Sequence, residues 1–469
     1  MFGSRGLQIL LMLWSGIRGL GIPTTGNNII KRANMKTIKT LFASLAFLFL
    51  GLVPISAMGQ SMPYTFTANT AAKASEVNAN FTYLLERFKL RTTTINCYSD
   101  SIQDALKEYN HIKVSGNCNQ NVLIGLRGVT NTSQQQINRD FVFLEGIDLD
   151  QATTITCTMC NYSTGAVIDV DDTMTVYLKN LTVKGGLHGI AAGRGATLYA
   201  EKLKVSATNG ITVHESGVAW LSNVNVSAVS HAVLVTHNGT VKIYNNSVLQ
   251  NSYAGISVYH GSNVQVVDST ITGNSMGVNM RQSTIDILGT TISNNKEDGI
   301  FLYFNSSANI YNSEIKNNVR DGITLRNNSV AFVTHSVIDG SKSHGVYINA
   351  NSTMQTDNLT VKNSGYNNMT IGDNSVLRFF NSKVESDNES NLRIFGGSRV
   401  ILKNSNIIHT NGNSVDIWDR GFIQVMQTNN SFTGKIDCWN PVNMGVSIVK
   451  NDTGSAWDNA SSPTDCPVH

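Results

Sequence analysis

Asp298, Asp321 and His344 stand 23 positions apart, each immediately before a glycine, and they combine two carboxylates with an imidazole. These are the residue types of general acid–base work. The whole column before the glycine reads Asn209, His231, Ala254, Met276, Asp298, Asp321, His344 and Asn367. Two residues after the glycine stand Ser257, Asn279, Phe301, Thr324 and Tyr347, and four residues after it Tyr259, Arg281, Tyr303, Arg326 and Asn349. If this spacing is one turn of a repeating structure, the three columns share an outward face over roughly four coils, with neighbours about 5 Å apart. Flat rings stack on sugars, guanidinium forks grip carboxylates, and paired acids exchange protons. The candidate catalytic set is therefore Asp298, Asp321 and His344, and the candidate ligand-binding set is Arg281, Arg326, Phe301, Tyr303, Tyr347 and Tyr259. Adjacent Asp298 and Asp321 are expected to raise each other's pKa or to hold Ca²⁺ together; no other cofactor is indicated.

The elements that must position these columns follow from the period. Gly–apolar pairs begin at residues 189, 210, 255, 277, 299, 322 and 345, with Ala232-Val233 in the same series and weaker members at Asn368, Asn391 and Ser414. A period of 22–23 over so long a stretch marks a solenoid, in which each unit buries its apolar face only against its neighbours. Within a unit, short alternating runs of Ile and Val are separated by Asn, Ser and Gly, which is strand grammar with turn residues between. Leucine-rich repeats have a similar length but need leucines where this chain has β-branched residues. Asparagine is over-represented, at 54 of 469 residues. Two polar columns explain the excess as structural: Asn274, Asn295, Asn318, Ser341, Asn363 and Asp387, and Ser269, Thr290, Ser313, Ser336, Asn358, Ser382 and Ser405. Stacked amides can hydrogen-bond along the axis, and Asn tolerates the left-handed backbone of tight corners.

Three short parallel strands per turn resemble the right-handed parallel β-helix of the pectate-lyase-like superfamily, and the handedness is implied by that resemblance. The expected fold is all-β, a right-handed parallel β-helix of about 22–23 residues per coil with short N-terminal α-helical segments. The superfamily includes enzymes, but their motifs are missing. Of the polygalacturonase set only Asp171-Asp172 is present, with partial matches at Leu187-His188-Gly189 and Ser343-His344-Gly345. The epimerase motif Asp-Pro-His-Asp, the lyase motif Arg-x-Pro-x-x-Arg and any esterase motif do not occur. Asp169, Asp171 and Asp172 form an acidic strand end, and the histidines, including His214 and His237, show no metal-ligand spacing.

Residues 1–34 read as an upstream extension and 35–59 as a signal peptide: Lys36 and Lys39, then the apolar run Leu41 to Ile55, then Ala57 and Gly59. The run is too short to span a membrane, so the mature chain, beginning near Gln60, is expected to be exported without a transmembrane segment. Residues 1–59 hold six basic and no acidic residues, which leaves 29 basic against 32 acidic and no sign of a nucleic-acid partner. Six cysteines in an exported chain fit three disulfides, and proximity suggests Cys97–Cys118, Cys157–Cys160 and Cys438–Cys466. Residues 60–92 carry an amphipathic helix at about 74–88, expected to pack on the first coils, with tethering or oligomerisation as the alternative. A short helix from Ser101 to Tyr109, with Asp100 and Gln103 as a capping pair, is expected to plug the N-terminal end. The solenoid is expected over 93–431 and a disulfide-pinned cap over 432–469. The function class read from these features is an exported bacterial polysaccharide-binding protein, secreted, periplasmic or on the cell surface. The alternatives are a lyase, hydrolase or epimerase on acidic polysaccharide, and a structural surface rod.

Overall fold

The computed structural model describes residues 90–125, 141–148, 153–160, 165–386, 391–426, 430–438 and 447–450. The chain divides into two compact units, Met1–Glu86 and Arg87–His469, and every described residue lies in the second. The upstream extension, the signal segment, the helix at 74–88 and Cys466 lie outside the described residues.

The described unit is a parallel right-handed β-solenoid of about 14 coils, about 23 residues each. Each coil places one strand in each of three parallel sheets. The first sheet stacks Ala254–Tyr259, Met276–Arg281, Ile300–Tyr303, Ile323–Leu325 and Val346–Ile348 in register, with Ile256 opposite Val278, Val278 opposite Ile300, and Ile300 opposite Ile323. The second sheet contains Asn263–Val267 and its neighbours, and the third contains Thr270–Thr272 and its neighbours. Alternate residues of every strand point inward, so the core is one continuous file of Ile, Val and Leu, among them Ile256, Val278, Ile300, Ile323 and Val346, each fully buried.

Glycine recurs beside this file because the coils approach closely there. A Cβ on Gly255, Gly277, Gly299 or Gly322 would meet the carbonyl oxygen of the next glycine in the column at 2.8, 2.4, 2.7 and 2.5 Å. On the other side it would meet the Asn ladder, at 2.9 Å from Asn295 Nδ2 in the case of Gly277.

That ladder is present and buried. Asn274 Nδ2 donates to Asn295 Oδ1 (3.2 Å), and Asn295 Nδ2 donates to Asn318 Oδ1 (2.9 Å). Each Oδ1 also accepts a backbone N–H from the coil before, Asn274 N at 3.1 Å and Asn295 N at 3.2 Å. Asn295→Ala should therefore strand the buried Asn274 N–H and leave its amide only the bond to Leu249 O, costing about 1.5 kcal/mol. Urea unfolding would show it as a lower midpoint with an unchanged slope.

Two members of the expected columns are one residue out. The coil that follows Ser336 and Ser341 keeps the full 23-residue step, so Leu359 and Ser364 take the buried places. Leu359 N donates to Ser382 Oγ at 3.0 Å, while Asn358 and Asn363 are exposed with φ of 53° and 56°. Asp387 lies outside the described residues. The displaced pair belongs to the corners, which favour Asn: among the described residues, 18 of the 34 non-glycine residues with positive φ are Asn. A further hydroxyl ladder, Ser306, Ser329, Ser352, Ser375 and Ser398, was not expected; Ser329 N donates to Ser352 Oγ (3.2 Å) and Ser375 N to Ser398 Oγ (3.1 Å).

At the N-terminal end the helix is one turn, Ile102–Ala105, between the strands Thr92–Asn96 and His111–Ser115. It buries Ile102 and Leu106 in the core. Its cap differs from the expected Asp100/Gln103 pair. Ser101 Oγ accepts from Asp104 N, and Gln120 Oε1 from the next coil accepts from Ile102 N at 2.9 Å. Asp100 instead turns back to accept from Asn96 N. Cys97–Cys118 and Cys157–Cys160 are disulfides, with Cα separations of 4.8 and 5.3 Å, and Cys438 is also disulfide-bonded. Parallel pairing continues past the expected boundary at Phe432: Ser431–Cys438 and Ser447–Lys450 pair with the coil before them. Among the described residues no helix is long and apolar enough to cross a membrane.

Candidate functional site

The first sheet brings the sequence columns together over four coils. Asp298, Asp321 and His344 stack at the entry to its strands, and the bonds between them follow the axis. Asp321 N donates to Asp298 Oδ1 (3.1 Å), and His344 N and Nδ1 both donate to Asp321 Oδ1 (2.9 Å each).

The expectation that the two carboxylates face outward is corrected here. Asp298 has no exposed surface and Asp321 is 4% exposed. A residue just before the repeat glycine sits in the bend between sheets, where the shortest way to satisfy the next coil's N–H is to fold its side chain back onto it. The resulting carboxylate ladder is the acidic counterpart of the amide ladder nearby.

Arg320, absent from the sequence columns, covers it. Its Nε donates to Asp298 Oδ1 at 2.7 Å, its Nη2 donates to Asp298 Oδ2, and Nη1 lies 3.6 Å from Glu297. Asp298 therefore has both oxygens engaged within the solenoid. Thr324 Oγ1 donates to Asp321 Oδ2 at 3.1 Å.

The two carboxyls shift in opposite directions. Burial pushes Asp298 up, against the pull of Arg320 and with a further push from the Asp321 charge. Burial also acts to raise Asp321, but hydrogen bonds from the His344 ring and backbone, the imidazole charge and Ser343 outweigh it, and Asp321 is held low. The mutual rise expected of neighbouring acids holds for Asp298 alone.

Outside this buried line lies a surface of rings and guanidinium groups. Phe301 and Tyr303 stack along their strand, with centroids 5.7 Å apart. Tyr303 packs on Phe304, and Arg281 lies 4.9 Å over Phe304 from the coil before. The same device recurs two coils further on, where Arg326 lies 5.1 Å over Tyr347. Arg320 covers Phe301 at 5.9 Å. Arg281 and Arg326 are exposed, and neither has a carboxylate partner among the described residues. Tyr259 is tied to its neighbour by a 3.0 Å bond from Asn279 Nδ2 to its hydroxyl, and Tyr347 accepts likewise from Asn349 at 2.9 Å. His344 remains half-buried beside Tyr347 and Tyr366, at ring distances of 5.3 and 6.2 Å.

On the second sheet a separate aromatic file runs Phe143, Tyr177, Tyr199 and Trp220, with centroids 4.3, 4.6 and 6.2 Å apart and rings nearly parallel. These rings show one another their faces. Asp172 lies at the corner beyond its strand, 3.5 Å from Arg194, and Asp171 is buried. Among the described residues no group of three His, Cys, Asp or Glu converges as a metal site.

A family model described as a right handed beta helix region matches residues 142–277 and 209–358. Solved structures of similar architecture include a variant of the periplasmic alginate epimerase AlgG, at 10% identity over 74% of this chain and 88% of that one, with a TM-score of 0.43. The Dettilon tailspike protein aligns at 8% identity over 85% and 73%, with a TM-score of 0.38. The A-module of the mannuronan C-5 epimerase AlgE6 from Azotobacter vinelandii aligns at 11% identity over 79% and 94%, with a TM-score of 0.28. No curated protein matches the sequence.

Proposed function

The chain is a right-handed parallel β-helix, and on that footing we propose that its first sheet binds an anionic polysaccharide laid along the solenoid axis. The observation that carries this reading is the repeated pair of unpartnered arginines on rings, Arg281 on Phe304 and Arg326 on Tyr347. An exposed guanidinium held over an aromatic ring keeps its donors free for a carboxylate. The two arginines stand two coils apart, about 10 Å along the axis. That distance lets the two forks meet alternate carboxylates of one extended polyuronate chain. Asp298 and Asp321 serve this site as buried supports, since Arg320 and the coil-to-coil bonds occupy them. The disulfides at Cys97–Cys118 and Cys157–Cys160 suit an oxidising compartment outside the cytoplasm, where such polymers occur.

Affinity electrophoresis of the full chain through gels containing polygalacturonate, alginate or a neutral glucan tests the reading. Retardation is expected in the two acidic gels only and should weaken with added salt. Arg281→Ala and Arg326→Ala should each reduce retention about tenfold, roughly 1.4 kcal/mol, with unchanged urea unfolding. Equal retention in neutral and acidic gels, or none in any, would remove the proposal.

A further inference from the structure

We infer that His237 and His260 form a two-histidine clip for a divalent transition-metal ion. The two residues are 23 positions apart and occupy the same corner of consecutive coils, where Asn238 N donates to His260 O at 3.1 Å. Both have left-handed backbones, with φ of 51° and 54°, so the corner holds their side chains side by side without further ordering. Their rings lie 4.9 Å apart at 39°, and both are exposed.

Thr236 gives the pair a chemical direction. Its Oγ1 lies 3.0 Å from His237 Nδ1 and 3.1 Å from His260 Nδ1. A hydroxyl oxygen has two lone pairs and can accept from both rings when each carries its proton on Nδ1. In that arrangement both Nε2 lone pairs are free, and neither Nε2 has a partner among the described residues. A shared acceptor behind two imidazoles is the outer-shell support that histidine ligands commonly have.

Of the charged groups on neighbouring coils, Glu215 is engaged by Arg194 at 3.6 Å and lies 3.8 Å from His214. The clip therefore supplies two nitrogens, with water in the remaining positions. Two imidazoles select a borderline ion such as copper or zinc, whereas Ca²⁺ needs oxygen ligands.

Cu²⁺ is the probe, because it binds nitrogen sites most tightly among these metals. Titration of the full chain, followed by electron paramagnetic resonance, should reveal a site whose hyperfine structure comes from two imidazole nitrogens. His237→Asn and His260→Asn keep a residue that accepts the left-handed corner. Each should abolish the two-nitrogen signal and weaken binding by about tenfold or more, with an unchanged unfolding midpoint. Thr236→Val keeps both imidazoles and should weaken binding by about tenfold to a hundredfold. Copper affinity that survives either Asn substitution, or a wild-type spectrum without two nitrogens, overturns the clip. Wild-type affinity in Thr236→Val overturns the role given to the hydroxyl.

Discussion

Arg320→Ala is expected to lower the unfolding free energy by about 3 kcal/mol at neutral pH, the low end of the range for stripping one partner from a buried ion pair, because Arg320 itself is partly exposed. The loss comes from Asp298, which has no exposed surface and would retain only the Asp321 N–H among the bonds now drawn to it. The pH dependence distinguishes this from lost packing over Phe301. Burial raises the Asp298 carboxyl above its ordinary 3.8, so its share of stability is complete below that pH and declines as pH rises through the raised value. Arg320 limits the decline, and removing it should widen the gap between the variant and the parent as pH climbs. Asp321 has the opposite sign: held low by His344, it contributes above its ordinary value and loses that contribution as pH falls. Its bonds from His344 are the same in both proteins, and the loss of its attraction to the Arg320 charge acts in the same direction as the loss at Asp298, widening the gap as pH rises. Urea unfolding at pH 4 and pH 7 measures the gap; an equal loss at both would assign the effect to packing. Arg320→Lys should recover part of it, since the charge remains and the fork is lost.

Gly299→Ala should cost about 3 kcal/mol, at the upper end of the overpacking range, although it adds a single methyl group to a strand end. The new Cβ would stand 2.7 Å from Gly322 O, 2.7 Å from Asn318 Nδ2 and 2.8 Å from Ile315 Cγ2. The carbonyl cannot swing away, because it accepts from Ile300 N at 3.0 Å. Ala232 occupies this column on a coil whose following ladder residue is Ser252, not Asn, and Ser252 Oγ accepts from Ala228 N. Gly299→Ala combined with Asn318→Ser should therefore recover part of the loss but not all of it, since the carbonyl contact stays. Urea midpoints of the single and double variants decide the matter. A double variant no more stable than the single one would show that the amide is not the obstacle.

The architecture was legible because a solenoid repeats its requirements. Gly255, Gly277, Gly299 and Gly322 stand in file in the chain's spacing and in its bonding, with Gly277 N donating to Asp298 O and Gly299 N to Asp321 O. The same arithmetic placed Arg281, Arg326, Tyr303 and Tyr347 on one sheet. What it could not yield was depth. Asp298 and Arg320 both lie near the bend that leads into the first sheet, and which of them is buried depends on side-chain direction in the bend, where the period of two no longer applies. Arg320 had no counterpart in the columns, so its fork on Asp298 had no signal in spacing. Phe143 joins the aromatic file outside the period, its step to Tyr177 lengthened by insertions, whereas Tyr177, Tyr199 and Trp220 keep the coil spacing. His237 and His260 lack the short ligand spacing of helices and hairpins; one coil brings these residues, 23 apart, into contact.

The meeting of Gly345 with Asn368 has a consequence for how such a chain can change its length. Between Gly255 and Gly345 the residue in this column is glycine, and the room it leaves holds the ladder side chains, from Asn274 to Ser364. At Asn368 the amide moves into the column itself, donating to Asn391 Oδ1 at 2.7 Å and accepting from Ser364 N at 3.1 Å. Duplicating or excising a whole turn inside the first stretch joins like to like, so the molecule can grow or shrink there by copying errors in its gene. Across the boundary at Asn368 the same event would set amide against amide or leave a hole.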